Sequence, residues 1–180
     1  GIDRADRHYF HWELEFPDIF FNEHGQRSDT GGFDAVVGNP PWERVNLEEN
    51  EFFALRDRAI ATAPTGSKRK ALIRELPTSN PSLWNEYQSA VHDIDAIRRF
   101  LQDSGQYPLC GLGRTNLYSV FSERASQLVR STGRVGLLVP SGIATDSGTS
   151  AFFRMMVDGK RLAEVIDFEN RAKVFEDVDS

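Results

Sequence analysis

Phe33-Asp34-Ala35-Val36-Val37-Gly38-Asn39-Pro40-Pro41-Trp42 is the stretch that decides the fold. Its first six residues form a short apolar run with β-branched side chains, which suits a strand buried on both faces of a parallel sheet. The run then enters a stiff corner, because proline locks φ and the residue before a proline is confined to extended geometry. The carboxyl end of a strand is where open α/β sheets place ligands. A plain turn with a buried Trp is the bland alternative, since Asn-Pro alone is a common turn signal. Two prolines and an aromatic directly after an apolar strand are uncommon against average composition, which favours a functional corner.

Outward from this corner the pattern alternates. Residues 48–62 and 68–76 have helical character, and Asn80 to about Asp103 carries Leu83, Tyr87, Val91, Ile94, Ile97 and Leu101 at three- and four-residue spacing. Residues 104–113, with three Gly and a Pro, form a break. Thr115 or Asn116 then caps a helix whose expected buried face is Leu117, Phe121, Ala125 and Leu128, with Val120 alongside, and Gly133 stops it. Val135–Val139 reads as a second buried strand ending at Pro140-Ser141-Gly142. Asp146 or Ser147 caps a helix through Val157, ended by Gly159, and Leu162 to Phe168 reads as a third strand. Upstream, residues 8–21 are aromatic and partly alternating, hence strand or extended, and residues 22–32 form a polar loop. Strand, helices, strand, helix, strand implies parallel crossovers in an α/β architecture. The helical block near 48–104 is too long for one crossover and suits a lobe or lid over one sheet edge.

The chain has 180 residues, enough for one domain with a real core. No stretch approaches the length of a membrane span. A single Cys, Cys110, excludes an internal disulfide and a cysteine metal cluster, which fits a reducing cytoplasm. The start at Gly1, with no initiator Met and no apolar targeting core, suggests an excised fragment. A net charge of −6 argues weakly against a complete nucleic-acid surface, although Lys68-Arg69-Lys70 with Arg74, and Arg98-Arg99, are locally basic. The plain reading of those clusters is a solvated helix face.

The corner suits one kind of chemistry. An exocyclic amine on a heteroaromatic ring has its lone pair delocalised, so it is a poor nucleophile. A site that accepts hydrogen bonds from both of its N–H groups favours a tetrahedral nitrogen. The side-chain carbonyl of Asn39 is one such acceptor, and the Pro40 backbone carbonyl, aimed by its locked φ, is another. Trp42 offers a flat face for the base.

With these residues in view, the chain resembles the γ-type amino methyltransferases, whose catalytic motif is Asn/Asp/Ser-Pro-Pro-Tyr/Phe/Trp. More narrowly it is similar to the large adenine methyltransferases of type IIG restriction–modification and related phage-defence systems. Further likeness lies in Phe10-His-Trp-Glu-Leu-Glu-Phe-Pro17, Asn116-Leu-Tyr-Ser-Val-Phe-Ser-Glu-Arg124, Gly133-Arg-Val-Gly-Leu-Leu-Val-Pro140 and Ile166-Asp-Phe-Glu-Asn170 with Val174-Phe175. The resemblance implies part of a Rossmann-like methyltransferase sheet with an inserted helical lobe, at roughly 47–113. It implies transfer of a methyl group from S-adenosylmethionine to adenine N6 in double-stranded DNA, on a base extruded from the helix because pairing and stacking block N6 inside it. Asn39, Pro40, Pro41 and Trp42 would form the catalytic corner, with Trp42 and Phe175 packing on the target base. Transfer runs in line from sulfonium to nitrogen, so positioning contributes much of the rate. No metal is implied.

The family seats its cofactor on a Gly-rich loop after a strand, and no such unit is found here. Gly111-Leu-Gly113 lacks the preceding strand and reads as a turn. Asn39 and Pro41 are therefore expected to make only edge contacts with the cofactor. The cofactor loop and the target-recognition segment are expected in the rest of the same polypeptide, outside residues 1–180. His8, His11 and Glu13 sketch a weak metal site, and Asp18 with Asp158 and Lys160 a weak nuclease site; neither spacing sustains the chemistry. Two other functions stay open: methylation of a protein glutamine amide, which uses a similar motif, and a catalytically silent domain that only binds DNA.

Overall fold

Two parallel strands carry the functional corner, β1 (Phe33–Gly38) and β2 (Val129–Leu137). The structure is a computed structural model in which residues 10–168 are described. Pairing runs from Ala35 opposite Arg134 to Gly38 opposite Leu137, and the Leu138 N–H donates to the Gly38 carbonyl at 3.1 Å. Both strands thus end on the same side. At the other end the register slips, and Asp34 alone stands opposite residues 130–133. Gly133 sits in that bulge because a Cβ there would lie 2.8 Å from the carbonyl oxygens of Phe33 and Asp34. This corrects its expected role as a helix stop: the helix already ends at Leu128, and β2 starts at the next residue.

The sheet is narrower and barer than expected. Among the described residues it has two strands, and Leu162 to Phe168 form no third. The wider Rossmann-like sheet is therefore not present in them. β1 is not buried on both faces either: Val37 is 84% exposed, and in β2 Val135 is exposed too.

Residues 10–21 form two short helices rather than a strand, α1 (Trp12–Glu15) and α2 (Pro17–Phe20). Their aromatic spacing fits a helix as well as alternation does: Trp12 and Phe16, four apart, stack at 6.0 Å. Pro17 opens α2 at its first turn and pushes Phe16 out of helical geometry, splitting the run. Trp12, Phe16 and Phe20 all pack edge-on against Phe33, which anchors both helices to the start of β1.

Between the strands lie α3 (Glu49–Ala54), α4 (Arg58–Ala61), α5 (Gly66–Ser79), α6 (Pro81–Asp103) and α7 (Leu117–Leu128). Helices α3 to α6 share their own core of Phe53, Ile60, Ile73, Leu76 and Leu83. A second core joins Val45, Leu101, Cys110, Val120 and Phe152. With 23 residues, α6 spans about 35 Å and reaches both cores, through Leu83 and Leu101.

The buried face of α7 differs from the expected one. Phe121 is 49% exposed, while Tyr118, Ser119, Ser122, Glu123 and Ser126 are buried with Val120, Ala125 and Leu128. The serines tolerate burial because each hydroxyl donates at 2.7 Å to a carbonyl three or four residues back: Asn116, Tyr118 and Glu123. After β2 come α8 (Gly142–Thr145), a single 3-10 turn (Ser147–Thr149) and α9 (Ser150–Asp158), which Gly159 ends. Asp146 therefore precedes the 3-10 turn and Ser147 opens it, and neither caps α9, whose N-cap position is Thr149. No described helix is long and apolar enough to cross a membrane.

Candidate functional site

The corner begins where β1 ends. Gly38 is pinned through its carbonyl to Leu138, the residue after β2, so the chain leaves the sheet in a fixed direction. Pro40 is buried; Asn39 and Pro41 are exposed, and Trp42 is half-buried. The Trp42 Nε1–H donates to Asn39 Oδ1 at 3.1 Å, so the two candidate side chains already touch.

Two parts of the chain clamp the residues that follow, the 115–117 segment and α6. The Leu117 N–H donates to the Glu43 carbonyl at 2.9 Å, and the Val45 N–H donates to the Thr115 carbonyl at 3.0 Å. Arg44 and Asn116 thereby form an antiparallel bridge. From α6, Arg98 Nε donates to the Val45 carbonyl at 3.0 Å and Nη1 to Asp95 at 3.1 Å. Arg98 therefore supports the loop behind the corner, beyond its expected place on a solvated face. Arg69 shows the same split, donating from Nε to the Ile60 carbonyl at 3.3 Å.

The loop after β2 joins the same edge. The Tyr118 hydroxyl donates to Asp146 at 3.2 Å and accepts from Asn116 Nδ2 at 3.3 Å. Burial pushes this hydroxyl above its ordinary value, opposed by the Asn116 amide and reinforced by the Asp146 carboxylate. Asn116 holds the N-cap position of α7 without a side-chain cap bond, because its amide is turned to Tyr118. Below, both carboxylate oxygens of buried Glu123 accept backbone N–H groups, from Leu109 at 3.1 Å and Cys110 at 2.8 Å. Burial and then the Glu123 charge push the Cys110 thiol up to about 12, which keeps it protonated and inert at neutral pH.

These supports were not read from the sequence. Glu123 and Asn116 stood only inside a quoted motif or as a cap, and no local pattern links Arg98 to Val45 or Tyr118 to Asp146. A buried carboxylate among helix serines was the one usable signal. Phe175, expected on the target base, lies outside the described residues. Asn39 and Pro41, expected at the edge of the cofactor, are both exposed.

The parallel strand, its Asn39–Trp42 corner and the clamped loop now stand together with one comparison. The family model of the Eco57I restriction-modification methylase matches residues 2–71 and 87–175. The chain belongs to that family. Membership brings with it methyl transfer within a restriction-modification system and DNA as the substrate of the family. Between the two matched stretches, residues 72–86 run from inside α5 to inside α6, so the internal gap falls within the helical block. No curated protein and no solved structure matches the chain.

Proposed function

We propose that this methylase chain holds the N6 amine of an extruded adenine for methylation, with S-adenosylmethionine supplying the methyl group on an activated sulfonium. The observation that carries the reading is the Asn39–Trp42 corner, buried at Pro40 and pinned at Gly38, in a chain of the Eco57I methylase family.

Asn39 Oδ1 and the Pro40 carbonyl are acceptors for the two N–H groups of the amine, a set that suits a donor-only group. An adenine edge presents that amine, whereas thymine presents a carbonyl at the same place. Trp42 provides the stacking surface that offsets the loss of stacking in the duplex. Asn39 and Pro41 border the donor, while its main seat and the reader of the DNA sequence belong to the rest of the polypeptide; Phe175 of this chain is the second side chain assigned to the target base.

The test is methyl transfer to duplex DNA by the full-length protein carrying this chain, with and without Asn39→Ala. Loss of a preorganised polar contact at a reacting centre lowers turnover by about 100-fold or more. Unchanged N6-methyladenine formation would sink the assignment of Asn39.

A further inference from the structure

The bond between Trp42 and Asn39 has a geometric cost for the reaction. An indole N–H points in the plane of its ring, and a hydrogen bond prefers near-linear geometry, so its bond to Asn39 Oδ1 at 3.1 Å draws that oxygen toward the ring plane. A base stacked on the indole face sits about 3.5 Å above it, the contact distance between carbon atoms. The amine of that base lies in the base's own plane. Oδ1 is therefore out of line with the amine by about the thickness of one ring while it bonds Trp42. Stacking on Trp42 and in-plane acceptance by Asn39 become compatible once the two side chains separate.

We propose that the Asn39–Trp42 hydrogen bond is a latch that keeps the corner closed and that the incoming base opens. The inference rests on the amine-methylation reading above. A Phe at position 42 has no donor for this bond, and a Tyr carries its hydroxyl at the far end of the ring, so the latch belongs to the Trp. Its cost is the same whichever base enters, because it is lost before the base makes its own contacts. The latch thus sets how readily the pocket fills and leaves the choice of base to Asn39 and Pro40.

Two measurements on the full-length protein test it. The first uses ¹⁵N-labelled indole, with the Trp42 signal identified by its absence in Trp42→Phe. The signal should move upfield in Asn39→Ala, and in the wild type when saturated with duplex DNA bearing the methylated site. No movement in either case overturns the latch. The second uses that duplex with 2-aminopurine in place of the target adenine, a base with no amine at position 6. Asn39 then has nothing to hold, so Asn39→Ala removes the latch and leaves the Trp42 face intact. Extrusion read by 2-aminopurine fluorescence should rise about 2- to 10-fold over wild type, the worth of one neutral hydrogen bond. An equal or lower signal overturns the proposal. Failure of the functional reading looks different: Asn39→Ala would keep its methylation activity, and the indole signal of the free protein would still decide the latch.

Discussion

Glu13 sits in the aromatic run and Arg124 stands 111 residues later, yet Nη2 of Arg124 lies 3.0 and 3.1 Å from its two carboxylate oxygens. The pair ties α1 to α7. Burial alone would raise the Glu13 carboxyl, but a backbone hydrogen bond and Arg124 together hold it below its ordinary value of 4.5. A depressed folded value means that the unfolded chain binds more protons in this range. The stabilisation is therefore present above 4.5 and is lost as pH falls through the lower folded value. Urea denaturation should show wild type more stable than Glu13→Gln at neutral pH, with the gap closing below 4.5; a gap that widens in acid would contradict this. Glu123 is a stiffer case, since it is 2% exposed and answers two buried N–H groups. Glu123→Ala strands both donors and should cost about 3 kcal/mol by urea denaturation; a change within error would show that the 109–110 turn is held otherwise.

At the scale of elements, the clearest sequence signals were the periodic ones. The three- and four-residue spacing from Leu83 to Leu101 is matched by α6, because a long helix repeats its own rule many times. Asn80 shows why its boundary was legible: its side chain accepts from the Leu83 N–H at 3.2 Å, and Pro81 follows at the first helical position. It also receives the end of α5, its N–H donating to the Leu76 carbonyl at 2.9 Å. Asn80→Ala should lower stability by about 1 kcal/mol, the usual worth of an N-cap; thermal or urea unfolding unchanged from wild type would count against this joint. Helix α7 was placed correctly and buries Val120, Ala125 and Leu128 as expected, but Phe121 is exposed and the buried face extends over polar residues. Apolar side chains marked that face in the sequence, and satisfied serines and Glu123 share it. Residues 10–21 failed for a related reason, since their aromatic spacing serves two periods and Pro17 chose between them.

The whole molecule presents apolar strand faces to solvent, with Val37 at 84% exposure, and an aromatic patch of Phe10, Trp12 and Phe16 beside the start of β1. The sequence carries no Gly-rich fingerprint loop after a strand, so the 180-residue chain alone should show no micromolar binding of S-adenosylmethionine in calorimetric titration. Micromolar affinity would mean that the donor's seat is already here.

The Asn39-Pro40-Pro41-Trp42 corner and the strand before it were determined by the sequence itself, because four adjacent residues and locked prolines act locally. So were α6 and the parallel sense of β1 and β2, through periodicity and the long connection between them. Only the tertiary structure decided that Trp42 bonds Asn39, that Arg98 and Thr115–Leu117 clamp the loop behind them, and that Glu123 is buried beneath. Those contacts, Trp42 with Asn39 aside, join groups far apart in the chain. The bond between the two near neighbours depends on how the corner is turned, which the rest of the fold sets.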